Sequence, residues 1–385
     1  MQHSPLDYQS LAVRGVQALQ PYQPGKPIDE LERELGIRNS LKLASNENPL
    51  GPSPRALAAM APAMKSLELY PDGGGYRLKA ALAKQLGVSP AQITLGNGSN
   101  DVLDIIGRCF LDAGGGAVFS EHAFAVYPIV TQSIGAELQV AAALSPDHPG
   151  MPYGHDLAAM QARVDDRTRV VFIANPNNPT GTWLSTDALQ AFLQALPPRI
   201  IVVLDEAYIE YVAREDVLPG ALVWLDAFPN LIVTRTFSKI YGLAGLRVGY
   251  AVSSPAIADL LNRVRQPFNV NALALVAAEA ALSDEAHLRH SAANNVSGLQ
   301  QWSVACSGEG WGHIPSIGNF ITVDTGRTAA PVYEALLREG VIVRPVANYG
   351  LPRHLRITIG TEAQNTRCIQ ALRKVLAELP PDGEA

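Results

Sequence analysis

Four short runs of β-branched and aliphatic residues, at 117–120, 169–175, 200–205 and 231–236, recur through the middle of this 385-residue chain with helical segments such as 187–196 between them. Each run is apolar on both faces, which is the pattern of a strand covered above and below. Strands joined through helices run parallel and need a helical layer on each side. The pattern therefore predicts an α/β fold built on a three-layer, mostly parallel sheet. Ligands of such sheets sit beyond the carboxyl ends of the strands. Polar residues stand at those ends here: Asn175, Asp205 and the Ser238-Lys239 pair.

The flanking segments read differently. Up to about Pro54 the chain is rich in proline and glycine, which predicts an extended arm with one short helix over Ile28–Leu35. Leu78, Leu82 and Leu86 set a helix over Tyr76–Leu86. Further on, a helix at Ala272–Leu282, a long helix through 292–304 and strands at 320–323 and 354–359 predict a smaller α+β domain. The expected division is an arm (1–55) packing on the small domain, a large domain (56–270) and the small domain itself (271–385).

Composition excludes several classes. The net charge is -6 with no basic stripe, so nucleic acid is not expected as a partner. Cys109, Cys306 and Cys368 are scattered, without metal-ligand spacing or a disulfide framework, and reduced thiols in a cytoplasm are the expectation. The opening residues Met1-Gln-His-Ser-Pro-Leu-Asp7 lack a basic segment followed by an apolar core, so no signal peptide is expected. No apolar run reaches the roughly 20 residues of a membrane span.

The polar residues at the strand ends make one chemical set. A lysine amine that condenses with an aldehyde, a carboxylate for a pyridinium nitrogen, and an Asn/Tyr pair for a phenolic oxygen are what pyridoxal 5'-phosphate requires. Lys239, Asp205, Asn178 and Tyr208 supply them. Singly, each has a plainer reading: Lys239 as a solvated lysine, Asp205 as a helix cap, Asn178 as a turn former. The run Gly96-Asn-Gly98-Ser99-Asn100 feeds an apolar helix, and a helix N-terminus behind a glycine turn is an anion site. Ser238 and Arg247 are placed to complete a phosphate cradle, and Phe124 to stack on a pyridine ring. No metal site is expected.

These motifs give the chain a resemblance to the fold-type I pyridoxal-phosphate enzymes, the aspartate aminotransferase superfamily, and within it to the histidinol-phosphate aminotransferases. The resemblance rests on Ser45-Asn-Glu-Asn48-Pro-Leu-Gly-Pro-Ser-Pro, Tyr70-Pro-Asp, Asn175-Pro-Asn-Asn178-Pro-Thr-Gly, Asp205-Glu-Ala-Tyr208, Arg235-Thr-Phe-Ser238-Lys239, Gly242-Leu-Ala-Gly-Leu-Arg247 and Leu355-Arg356-Ile-Thr-Ile-Gly. It implies that Lys239 carries the cofactor and shuttles the substrate proton, and that Asp205 pairs with the pyridinium. It implies further that Asn178 and Tyr208 bind the phenolic oxygen, that Phe124 stacks, and that Gly98, Ser99, Asn100, Ser238 and Arg247 hold the phosphate. Tyr70 would reach that phosphate from a second copy, which implies a homodimer. Arg356 and Arg344 would bind the substrate's anionic group, and Asn48, where some relatives carry an aromatic, would form one wall of the pocket. The implied reaction is amino transfer from glutamate to a phosphorylated imidazole ketone, imidazole-acetol phosphate. An aromatic amino-acid aminotransferase, a lyase of the threonine-phosphate decarboxylase kind and a non-catalytic regulator on the same fold are the alternatives.

Overall fold

The computed structural model of the protein describes residues 7–217 and 220–380. Residues 1–6, on which the expectation about a signal peptide rests in part, lie outside the described residues. The four anticipated runs form neighbouring strands at the centre of a seven-stranded sheet. Its order is Ile93–Gly96, Gly249–Ser253, Leu231–Thr236, Ile201–Asp205, Thr168–Ala174, Gly116–Ser120, Glu137–Ala141. Gly249–Ser253 runs antiparallel to both neighbours. The remaining pairs are parallel.

Side-chain alternation sorts each central strand between two cores. Val171, Ile173, Val202, Leu204, Leu231 and Val233 join one cluster, with Leu78, Leu82, Leu189 and Phe192 from helices Tyr76–Leu86 and Thr186–Ala195. Val170, Phe172, Val203 and Ile232 join the other, with Val102, Ile105 and Ile106 of helix Ser99–Phe110. Each fully buried aliphatic side chain is worth about 1.5–3 kcal/mol, so both layers are held firmly to the sheet.

A second, four-stranded antiparallel sheet runs in the order Arg344–Pro345, His354–Thr358, Phe320–Asp324, Gly312–Ile314. Its core gathers Trp302, Ile321, Val323, Leu336, Leu355, Ile357 and Leu372, and the arm adds Leu41 and Leu43. Leu41–Lys42 pairs in parallel with Val341–Ile342, and the Thr358 amide donates to the Leu43 carbonyl at 2.9 Å.

The structure differs from expectation in the arm and in two helices. Besides Ile28–Leu35 the arm turns through Tyr8–Leu11 and Arg14–Gln17, and the latter packs on helix Val126–Ile134 of the large domain. The helix expected at 292–304 spans Glu285–Glu309, because Asp284 caps it by accepting from the His287 amide and Gly310 ends it in the left-handed region. Its early turns, Glu-Ala-His-Leu-Arg-His, carry no apolar face to read in the sequence. Helix Ala272–Leu282, expected within the small domain, packs instead against helices Pro54–Ala63 and Tyr76–Leu86 of the large domain. Ala274, Leu275, Ala277, Ala278, Ala281 and Leu282 belong to the core of that layer, because an alanine-rich helix admits close approach to the helices beside it. The change from one core to the other therefore falls after 282, not at 271. Among the described residues no helix is long and apolar enough to cross a membrane.

Candidate active site

The carboxyl ends of Ile93–Gly96, Leu231–Thr236, Ile201–Asp205 and Thr168–Ala174 share one edge of the large sheet, and a cavity of about 380 Å³ opens there. Lys239, Asp205, Asn178, Tyr208, Ser99, Asn100, Phe124, Ser238, Arg247, Arg344 and Arg356 all line it.

Asp205 is the last residue of its strand and is buried. The Tyr127 hydroxyl donates to its Oδ2 at 2.9 Å and Thr234 Oγ1 donates to its Oδ1 at 3.0 Å. Burial raises its pKa to about 6, against the lowering effect of those two donors. A carboxylate fixed on both oxygens, short of a countercharge and turned toward a cavity, is suited to a cationic partner.

Lys239 stands three residues beyond Leu231–Thr236, with Nζ donating to the Ser45 carbonyl at 3.1 Å and lying 5.7 Å from the centre of the Tyr208 ring. Loss of hydration lowers its pKa to about 7, and Arg356 and Arg247 push in the same direction while Glu47 and Asp205 oppose them. Near neutral pH such an amine is available as a base and nucleophile.

The Tyr208 hydroxyl accepts from Asn46 Nδ2 at 3.0 Å, and its ring meets Phe320 edge-on at 5.3 Å. Asn178 Oδ1 accepts from Arg356 Nη1, and Arg356 Nη2 donates to the Ala44 carbonyl at 2.7 Å. The fork of Arg356 is thus held from two sides over the Phe320 ring. Arg344 lies over the ring of Tyr22 at 5.5 Å.

Ser99 and Asn100 open helix Ser99–Phe110, and Gly98 before it has φ 86°, the left-handed side that glycine tolerates. A Cβ at Gly98 would meet Arg247 Nη2 at 2.4 Å. Arg247 is itself anchored by donating from Nη1 to the Ala244 carbonyl at 3.0 Å. Helix amides, a guanidinium and the Ser238 hydroxyl thus converge on one concavity that excludes a side chain, and these donors fit a phosphate. Phe124 lines the same cavity, edge-on to Tyr127 at 5.9 Å.

Two expected residues are not brought to the crevice of this chain. Asn48 is buried with its Nδ2 donating to the Ile240 carbonyl at 2.7 Å and to Ser291 Oγ at 2.9 Å, so it ties the arm to the scaffold and does not form a pocket wall. Tyr70 is 83% exposed and stacks on Phe268 at 4.7 Å, away from the cavity lining. Sequence reading in turn missed Tyr127, Thr234, Asn46, Glu47 and Tyr22.

The aminotransferase class I and II family matches residues 38–372, nearly the whole chain. The chain belongs to that family. This aminotransferase is 60% identical over 373 residues to histidinol-phosphate aminotransferase 2 of Pseudomonas fluorescens Pf-5, covering 96% of this chain and 99% of that protein. It is 59% identical over 373 residues, at the same coverage, to histidinol-phosphate aminotransferase 2 of Pseudomonas aeruginosa. Among solved structures, the histidinol-phosphate aminotransferase of Sinorhizobium meliloti in complex with pyridoxal-5'-phosphate is similar to it with a TM-score of 0.86 and 32% identity. That likeness spans 96% of this chain and 98% of that one.

Proposed function

We propose that this aminotransferase interconverts L-histidinol phosphate and 2-oxoglutarate with imidazole-acetol phosphate and L-glutamate, using pyridoxal 5'-phosphate. The observation that carries the reading is a single crevice holding a lysine, a buried carboxylate and three guanidiniums, in a chain so similar to enzymes of that name. When bound, the cofactor supplies an aldehyde that condenses with amines and a pyridinium ring that takes up electrons.

The chain's own residues do the rest. Lys239 Nζ holds the cofactor at rest, then removes the proton from the amine-bearing substrate carbon and returns it. Asp205, oriented by Tyr127 and Thr234, keeps the ring nitrogen protonated. Asn178 and Tyr208 would hold the phenolic oxygen, Phe124 would pack on the ring, and Gly98, Ser99, Asn100, Ser238 and Arg247 would hold the phosphate. Arg356 and Arg344 bind the substrate's anion. Guanidinium forks accept a carboxylate or a phosphate in the same geometry, so one site serves both glutamate and a phosphorylated imidazole.

The protein works as a homodimer in the cytoplasm. Support for the second copy is the exposed apolar run before Tyr70, where Leu67 and Leu69 are 58% and 65% exposed, with Tyr70 itself stacked on half-exposed Phe268. Residues 56–282 form the cofactor-binding unit, with the arm and the remaining chain as its smaller counterpart.

The decisive experiment is a half-reaction panel. Glutamate-charged protein should release stoichiometric 2-oxoglutarate and then transfer the amine to imidazole-acetol phosphate. Transfer to phenylpyruvate alone overturns the substrate assignment, and release of CO2 points to a lyase.

A further inference from the structure

The arm residues 44–46 touch three machinery residues in succession. The Ala44 carbonyl accepts from Arg356, the Ser45 carbonyl from Lys239, and the Asn46 side-chain amide donates to Tyr208. Asn46 differs from the other two because its side chain makes the contact. It is 1% exposed and sits at φ 56°, a left-handed conformation that a non-glycine residue adopts at a cost.

Its orientation is over-determined. The Asn46 backbone amide donates to Thr358 Oγ1 at 2.9 Å, and Asn319 Nδ2 donates to its carbonyl at 2.9 Å. The Thr358 hydroxyl, having accepted one bond, donates its own proton to Asn46 Oδ1 at 3.3 Å. With the oxygen occupied by that donor, the Nδ2 end faces Tyr208, at 3.0 Å. A phenol oxygen that accepts from an amide must direct its single O–H elsewhere, and the Tyr208 side chain lines the cavity.

We propose that Asn46 is a positioning residue for the amino-transfer site: by donating to Tyr208 it fixes the phenolic proton toward the cofactor's ring oxygen and strengthens it as a donor. The inference rests on the pyridoxal-phosphate reading above. Because Thr358 and Asn319 belong to the small-sheet side, the same contact ties the seating of the arm to the electronic state of the ring. Arg356, Asp205 and Tyr349 also act on Tyr208 from neighbouring elements, with the Lys239 amine over its ring. Only Asn46 hydrogen-bonds its hydroxyl among the described residues.

Asn46→Gly tests the idea without confounding the fold. Glycine adopts φ 56° freely, and the backbone bonds to Thr358 and Asn319 survive. The readout is the pH midpoint of the visible absorption of protein loaded with pyridoxal phosphate. A weaker donor to the ring oxygen disfavours the form that carries negative charge there. The midpoint should therefore rise by about half a pH unit, with thermal stability unchanged or improved. Tyr208→Phe should move it further the same way, and adding Asn46→Gly to Tyr208→Phe should move it no more. An unshifted midpoint in Asn46→Gly, or the same shift persisting without the Tyr208 hydroxyl, overturns the inference alone. Wild-type protein that takes up no pyridoxal phosphate overturns the reading beneath it as well.

Discussion

At Lys239, lost hydration and the nearby guanidiniums act together, and the result is measurable without any cofactor. The folded amine releases its proton near pH 7 and an unfolded lysine near 10.5. Between those values the unfolded chain binds more protons, so stability rises with pH across that window. Lys239→Met should make the cofactor-free protein more stable at pH 7 and flatten the rise toward pH 10, by about 1.4 kcal/mol for each pH unit of that window. Denaturant midpoints at the two pH values measure it. The same substitution should lower kcat by roughly 10³–10⁴-fold if Nζ is the base proposed above, since among the described residues no other lysine lines the crevice. Lys239, Asp205 and Arg247 were legible because each stands at a strand end or in a glycine-rich run that demands a ligand. Tyr127 and Asn46 were not, because their role is to touch another side chain across 78 and 162 residues of sequence. Nothing local marks such a contact. Asn48 attracted attention and Asn46 holds the position, since an extended arm gives no period from which to tell which of two asparagines faces inward.

Between elements, the ends of Ile201–Asp205 and Leu231–Thr236 are tied by a buried pair. Arg235 donates from Nε and Nη2 to Glu206 Oε2 at 2.9 and 2.7 Å, and Glu206 Oε1 accepts from the Ala221 amide. The tie holds the strand end bearing Asp205 against the turn bearing Lys239. Arg235→Met leaves an uncompensated buried carboxylate and should cost about 3–5 kcal/mol in urea unfolding. At the helix N-terminus, Gly98→Ala forces a methyl against Arg247. Pyridoxal-phosphate affinity should fall by about tenfold or more, and because φ 86° strains any side chain the cofactor-free protein should also lose about 1–3 kcal/mol in urea unfolding. Equilibrium dialysis and unfolding curves separate the two effects. The central strands were readable because they are apolar on both faces. The edge strand Glu137–Ala141 was not, as its pattern is mostly exposed, and Gly249–Ser253 was masked by the glycine-rich run before it.

At the scale of the whole molecule, exposed Tyr70 and half-buried Lys239, which lines the crevice, belong to different parts of one chain. If each site borrows Tyr70 from a second copy, a Lys239→Ala chain and a Tyr70→Ala chain are each poor enzymes but complement one another. Subunit exchange between them should restore about a quarter of wild-type activity at limiting pyridoxal phosphate, the share of intact sites after random pairing. Activity no higher than the mean of the separate variants argues that the site is complete within one chain.

Leu41 meets Val341 in a parallel ladder of two residues a side, so three hundred residues leave the ribosome between one partner and the other. At ordinary elongation speeds that is a wait on the order of 15–60 s. Throughout it the arm lacks its ladder to Val341–Ile342 and the Arg356, Thr358 and Asn319 partners that orient residues 44–46. The large sheet can close early around its own core, but a working site is born only once synthesis has nearly finished.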